Sequence, residues 1–133
     1  MFKKAHILSL LILGIFPTAS LRAEVFQPMR GCYFREKKSG NILNDAKCKV
    51  DLSSQYILRD SSARTAIPKN LTILWSDGVK TSINITSIEA MGNVGRYYKG
   101  EAIIDGEPAL LTVFNDGGYG FEVKATGNRI SFR

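Results

Sequence analysis

The sequence predicts an all-β protein, a small antiparallel sandwich or barrel of about seven to nine short strands with one disulfide. Three observations predict this fold class. Glycine-bearing turns recur roughly every eight to twelve residues through the second half of the chain. Apolar and polar residues alternate between these turns, which is the period of a strand. After residue 23, no stretch keeps the apolar spacing of an amphipathic helix over three turns.

The N-terminal segment has the pattern of a secretory signal peptide. Two lysines precede an apolar run of ten residues at 7–16, and a proline and three small residues follow it. We therefore expect residues 1–23 to be a signal peptide and residues 24–133 to be a single exported β domain. An uncleaved N-terminal anchor is the alternative, although the apolar run is too short to span a bilayer.

The first half of the exported domain predicts three short strands. Residues 32–35 are aromatic and compact, and the turn-forming segment 38–41 follows them. Residues 48–52 and 55–58 form two further short apolar runs. The polar segment 60–70 contains an Ile-Pro pair and predicts a loop.

The segment 71–85 (LTILWSDGVKTSINI) is the clearest unit of secondary structure. Leu71, Ile73 and Trp75 alternate with Thr72 and Leu74 before the turn, and an apolar–polar alternation resumes from Val79. The intervening Ser-Asp-Gly is typical of a three-residue hairpin loop. The pattern predicts a β-hairpin.

The C-terminal part predicts four more strands joined by Asp-Gly, Asn-Asp-Gly-Gly and Thr-Gly-Asn turns. These strands cover residues 96–104, 108–114, 119–125 and 129–132. Apolar residues occupy successive positions of the second of these strands, at Leu110, Leu111, Val113 and Phe114. This predicts that the strand is covered on both faces.

Cys32 and Cys48 are the only cysteines and have fifteen residues between them. In an exported protein an even pair predicts a disulfide, and closing a loop of this size contributes roughly 3 kcal/mol. A redox pair or a two-thiolate metal site is the alternative, but the spacing is not CxxC. We expect the disulfide to hold the N-terminal hairpin.

The positive charge is concentrated near this disulfide. The chain has a net charge of +6, which falls to +3 without residues 1–23. Residues 30–49 have a net charge of +4 and residues 50–133 are neutral. An acidic protein or an anionic envelope glycan is the predicted partner class. The predicted binding residues are Arg30, Tyr33, Arg35, Lys37, Lys38, Lys47 and Lys49. The alternative is a solvated hairpin whose lysines protect an edge strand from pairing.

The residue content argues against an enzyme. His6, the sole histidine, lies in the predicted signal peptide. The exported domain then lacks the imidazole that Ser-His-Asp, Cys-His and most catalytic zinc sites require. The nearest carboxylate pair, Asp105 and Glu107, lies on a turn whose chemistry explains the aspartate. We predict no catalytic residue, metal ligand or cofactor, no nucleic acid partner, and no stable membrane insertion after signal removal.

Two turn motifs resemble a known group of proteins. The segments 74–81 (LWSDGVKT) and 114–119 (FNDGGY), after two cysteines, resemble small secreted bacterial proteins of unassigned function, notably cyanobacterial ones. This resemblance implies export and a disulfide-containing β domain, and it assigns no catalytic residue. The size and character are also similar to those of periplasmic lysozyme inhibitors.

The sequence therefore predicts an exported, non-enzymatic binding module that uses a basic disulfide hairpin. A structural or assembly component of an envelope or surface complex is the alternative, with apolar strands or an open sheet edge as its interface. A periplasmic enzyme inhibitor is a third possibility. An enzyme that works with carboxylates alone would need two of them to converge in a cleft.

Overall fold

A ten-stranded antiparallel sheet forms most of the protein. The structure, a computed structural model, describes residues 26–28, 31–52, 55–60, 65–91, 97–114 and 116–133. The predicted signal peptide and Arg30 lie outside these residues. The described strands are β1 (Gln27–Pro28), β2 (Cys32–Arg35), β3 (Ile42–Asp45), β4 (Lys49–Leu52), β5 (Tyr56–Asp60), β6 (Thr65–Pro68), β7 (Asn70–Leu74), β8 (Lys80–Met91), β9 (Tyr97–Ile104), β10 (Glu107–Val113), β11 (Tyr119–Val123) and β12 (Arg129–Phe132).

The large sheet curls into a half-barrel. Its strand order is β1-β4-β7-β8-β9-β10-β11-β12-β2-β3, and β5 and β6 form a separate two-stranded sheet. Alternate residues of each strand point to the concave side, where they form one apolar core. Ile73, Ile104, Leu111 and Ile130 are among the fully buried side chains of this core. The all-β fold class and the disulfide are therefore confirmed.

The turn between β9 and β10 shows how local sequence selects a hairpin. Asp105 and Gly106 have φ angles of 47° and 86°. Two successive positive φ angles define the tight turn whose twist matches antiparallel strands, and Asp-Gly suits it because Gly lacks a Cβ. The predicted 71–85 hairpin is also formed, with Trp75 N–H donating to Val79 C=O at 2.9 Å.

A bulge in β8 bends the sheet next to β9. The register shifts between Ile85 and Ser87, so that the two strands approach closely at Gly100. A Cβ at Gly100 would collide with the backbone carbonyl of Ser87. A residue without a side chain is therefore required where the half-barrel bends.

The two ends of the sheet meet at one point. A connection of residues 46–48 joins β3, at one end of the strand order, to β4, which lies next to the other end. The Cys32–Cys48 disulfide crosses the same gap, with the two Cα atoms 5.9 Å apart. The Asp45 carboxylate also accepts a hydrogen bond from Ser76 N–H at 2.7 Å. The disulfide thus closes the base of the β2–β3 hairpin, where Cys32 pairs with Asp45, and it also joins opposite ends of the half-barrel.

Three predictions need correction. The described residues form twelve strands, more than the expected seven to nine. The predicted loop 60–70 contains β6, which pairs with β5. The strand β3 was not predicted, because its sequence, ILND, has only two apolar residues. The strand predicted at 108–114 corresponds to β10, and it is covered on one face only, since the Leu110 side chain is 47% exposed.

No helix in the described ranges is long and apolar enough to cross a membrane.

Candidate binding surface

The β2–β3 hairpin brings most of the predicted binding residues together. Tyr33 and Arg35 alternate with buried residues of β2 and therefore lie on the outer face of the sheet. The exposed Lys37 and Lys38 lie in the turn that follows, and the exposed Lys47 comes directly after β3. Tyr33, Arg35, Lys37 and Lys38 therefore lie along β2 and the turn of the hairpin, and Lys47 lies just beyond its last strand.

The turn of this hairpin is fixed by its own polar groups and by a neighbouring turn. Glu36 N–H donates to Asn41 C=O at 2.9 Å, and the Ser39 hydroxyl donates to a Glu36 carboxylate oxygen at 2.6 Å. Lys37 N–H donates to the Asn128 side-chain oxygen at 3.1 Å, which ties the hairpin to the β11–β12 turn. The turn lysines are therefore held on an ordered support.

The remaining two predicted binding residues are not placed with this group. Lys49 begins β4, where it pairs with Pro28 and Leu74, close to the other end of the strand order. Arg30 lies outside the described residues. Residues 30–49 were expected to form one basic hairpin, but the hairpin ends at Asp45 and the chain then continues to β4.

Three of the cations in this group have no acidic partner within the described part of the chain, while the fourth, Lys47, lies near the Asp45 carboxylate. Arg35, Lys37 and Lys38 form no ion pair there. By contrast, three cations on neighbouring strands and at the C-terminus are paired with carboxylates. These pairs are Lys124–Glu101 at 2.6 Å, Arg129–Glu122 at 3.3 Å, and Arg133–Asp116. Lys49, Lys69 and Lys99 also form no ion pair among the described residues, but they lie apart in the chain, so the hairpin carries the densest run of unpaired cations.

Asp45 closes the base of the hairpin and is only 6% exposed. Burial by itself would raise the pKa of its carboxyl group. Hydrogen bonds from the backbone of Ser76 and Lys47, a side-chain bond from Ser76 and the nearby Lys47 charge outweigh that effect, so the pKa lies below its ordinary value of 3.8. Asp45 is therefore an ionised structural acceptor at the point where the two ends of the sheet meet.

A groove of about 630 Å³ runs over the outer face beside the hairpin. Thr112, Gly120 and Ser131 contribute to its floor, and Tyr33 lies at the hairpin side. Leu110 and Phe114 line the opposite side and are 47% and 43% exposed. Neither residue was expected at the surface, because the strand that contains or precedes them was predicted to be covered on both faces.

Three of the carboxylates that an acid–base mechanism could use already accept hydrogen bonds from backbone amides. Asp77 accepts from Val79 N–H at 3.0 Å, and Asp105 accepts from Ser82 N–H at 3.0 Å. Asp116 accepts from Gly118 N–H at 2.9 Å in addition to its ion pair. The Asp77 and Asp116 contacts, each with a backbone N–H two residues ahead, are those expected of turn aspartates, whereas Asp105 bonds to the neighbouring strand β8. Among the residues that the structure describes, no group of three or more His, Cys, Asp or Glu could hold a metal ion.

Comparison of the chain with known protein families, curated proteins and solved structures finds no match. The surface residues and their geometry are therefore the basis for inferring a function.

Proposed function

We propose that the protein is an exported, non-enzymatic binding domain that recognises an acidic protein partner through its β2–β3 hairpin. The observation that supports this most is the charge distribution. Within the described residues, the ion pairs lie on β9 to β12 and at the C-terminus, while Arg35, Lys37 and Lys38 project from the hairpin without a carboxylate partner. Unpaired exposed cations on an ordered turn are available to a partner at little desolvation cost.

The position of Tyr33 adds a second type of contact to this surface. Its half-buried ring lies between the hairpin cations and the outer groove. Tyr and Arg are enriched at protein interfaces, so Tyr33 provides contact area beside Arg35, while the lysines of the turn add charge that orients an acidic partner.

Export is part of the same proposal. The Cys32–Cys48 bond is formed, and disulfides persist in oxidising compartments. A bond that joins opposite ends of the sheet would be of structural value in such a compartment. Fractionation of cells that express the full chain would test export, and accumulation of the protein in the cytoplasm would contradict it.

The binding proposal is tested with soluble anionic probes. Residues 24–133 are titrated into labelled poly-L-glutamate by fluorescence anisotropy at several salt concentrations. The variant with Arg35, Lys37 and Lys38 all changed to Ser should bind at least roughly tenfold more weakly, because it lacks the cations that contact the probe. Its affinity should also fall less steeply with salt.

A matched variant separates the hairpin surface from net charge. Lys69→Ser, Lys124→Ser and Arg133→Ser remove the same number of positive charges from exposed positions off the hairpin, two of them paired with carboxylates. This variant should bind poly-L-glutamate within about threefold of the wild type. Equal losses in the two variants would show that net charge alone drives binding and would overturn the assignment to the hairpin. Preference for polygalacturonate over poly-L-glutamate would identify a glycan partner instead.

A further inference from the structure

The β3 strand has a hydrogen-bonded neighbour on one side only among the described residues, namely β2. The ladder bond from Glu36 N–H to Asn41 C=O sets the alternation along the hairpin. Leu43 is therefore a residue whose backbone groups bond to β2, while those of Ile42 and Asn44 point to the open side. This side presents the donors and acceptors that an added strand would need.

The open stretch of the β3 edge has no proline, charge or bulge that would block pairing, although the strand is short and ends in the buried, inward-pointing Asp45. Residues 42–44 contain no proline and no charged residue, and β3 pairs with β2 without a register shift. Ile42 is 56% exposed on the outer face, and Leu43 is 38% exposed on the inner face. The β1 strand, at the opposite end of the strand order, is only two residues long and contains Pro28. The two ends of the sheet thus differ in their openness to pairing.

Cations flank the β3 edge at both of its ends. Lys37 and Lys38 lie in the turn before β3, and Lys47 lies just after it. The strand's own carboxylate, on Asp45, is buried, bonded to backbone amides and close to Lys47, whereas Lys37 and Lys38 form no ion pair among the described residues. A strand laid along β3 would therefore meet an apolar centre and a positive charge at each end.

We propose that β3 is the docking edge for an extended segment of a partner protein, which adds as an eleventh strand to the ten-stranded sheet. The segment has an apolar centre that covers Ile42 and Leu43, and acidic residues that reach the flanking lysines. This inference rests on the proposed function and specifies how the acidic partner is held.

The same charges argue against a second copy of this chain as the occupant. Antiparallel pairing of two β3 strands would place Lys37 and Lys38 of one copy beside Lys47 of the other. Parallel pairing would place identical lysines side by side. Both arrangements bring like charges together across the new ladder, which is destabilising. An acidic heterologous strand removes this repulsion.

The test uses a synthetic peptide with alternating Val and Thr at its centre and a pair of Glu at each end. Binding to residues 24–133 is measured by fluorescence anisotropy. Asn44→Pro removes an outward-pointing N–H and places a ring on the open edge, so affinity should fall at least roughly tenfold. Asn44→Ala keeps the N–H and should bind within about twofold of the wild type.

A second form of the peptide provides a test that does not depend on the folding of a variant. Methylation of alternate backbone amides of the peptide leaves its side chains and charge unchanged but prevents ladder bonding. This peptide should lose binding by the same factor as Asn44→Pro. Full affinity of the methylated peptide, or of a folded Asn44→Pro variant, would overturn strand addition and leave the charged-hairpin proposal standing.

Two other outcomes would identify a different cause. Unchanged peptide affinity in the variant with Arg35, Lys37 and Lys38 changed to Ser would refute the proposed function itself. A wild-type dimer in sedimentation that Asn44→Pro dissociates would show that a second copy occupies the edge, which would overturn the heterologous partner.

Discussion

Replacing Asp45 by Asn is the sharpest test of how the half-barrel is held together. The Asp45 carboxylate accepts hydrogen bonds from Ser76 N–H at 2.7 Å and from Lys47 N–H at 2.9 Å. One donor belongs to the β7–β8 turn and the other to the β3–β4 connection, so this carboxylate bonds across the point where the two ends of the sheet meet. An amide at the same position has one oxygen and one NH₂ group.

The expected cost follows from the loss of one charge-assisted bond. The oxygen of the substituted amide would accept from one backbone N–H, while its NH₂ group would face the other and leave it unsatisfied. Hydrogen bonds to a charged acceptor contribute about 1.5–3 kcal/mol each, and an unpaired buried donor is costly as well. We therefore expect Asp45→Asn to lower the free energy of unfolding by about 2–3 kcal/mol near neutral pH.

The lowered pKa of Asp45 determines how its contribution to the free energy of unfolding changes with pH. The pKa of Asp45 in the folded protein is lower than its ordinary value of 3.8. The stabilisation is therefore fully present above that ordinary value and is lost as the pH falls through 3.8 towards the folded-state pKa. The difference between wild type and Asp45→Asn should be constant above about pH 5.5 and should shrink in more acidic buffer.

Urea unfolding of both proteins across this pH range measures the effect, with Asp116→Asn as the control. Asp116 is also a turn carboxylate bonded to a backbone amide, but it is exposed and paired with Arg133, so its loss should cost less than about 1 kcal/mol. Asp45→Asn within about 0.5 kcal/mol of wild type would refute the reasoning, because the connection would then be held by the disulfide and packing alone.

Three further predictions concern the core and the bend of the sheet. Reduction of Cys32–Cys48 should lower the free energy of unfolding by roughly 3 kcal/mol, measured by urea unfolding with and without reductant, and no change would contradict the closing role. Thr81→Val leaves the buried Trp75 indole N–H without its 2.8 Å acceptor and should cost about 1–3 kcal/mol in urea unfolding. Thr81→Ser keeps the hydroxyl and should cost less, and equal costs would show that the hydrogen bond contributes nothing. Gly100→Ala should cost about 2–4 kcal/mol by the same assay, because its Cβ meets backbone of β8, and a neutral effect would mean that the bulge can relax.

The fold class could be predicted because turn chemistry and strand period are local properties. The Asp105–Gly106 turn and the hairpin around Asp77 are encoded in a few adjacent residues and formed as expected. The strand order could not be predicted in this way. Pairing of β12 with β2 joins residues about a hundred positions apart and depends on how the whole sheet curls.

The candidate surface was predicted in part for the same reason. Tyr33, Arg35, Lys37 and Lys38 are close in sequence and therefore stayed together on one hairpin. Lys49 was separated from them because the chain crosses to the other end of the sheet after β3. That crossing depends on how the whole sheet curls, and the spacing of hydrophobic residues in the sequence does not predict it.

The position of the closure explains why β3 is open. A fully closed barrel would have no strand edges, whereas this half-barrel leaves β1 and β3 with one hydrogen-bonded neighbour each among the described strands. Its two ends are joined by the Cys32–Cys48 disulfide and by hydrogen bonds to the Asp45 carboxylate, all near the C-terminal end of β3. From there β3 leads back to Ile42, which is 56% exposed, and has no second neighbour among the described strands. An exposed apolar edge favours aggregation, so a sheet that is fixed at one point beside such an edge retains a liability that a docked acidic strand would remove.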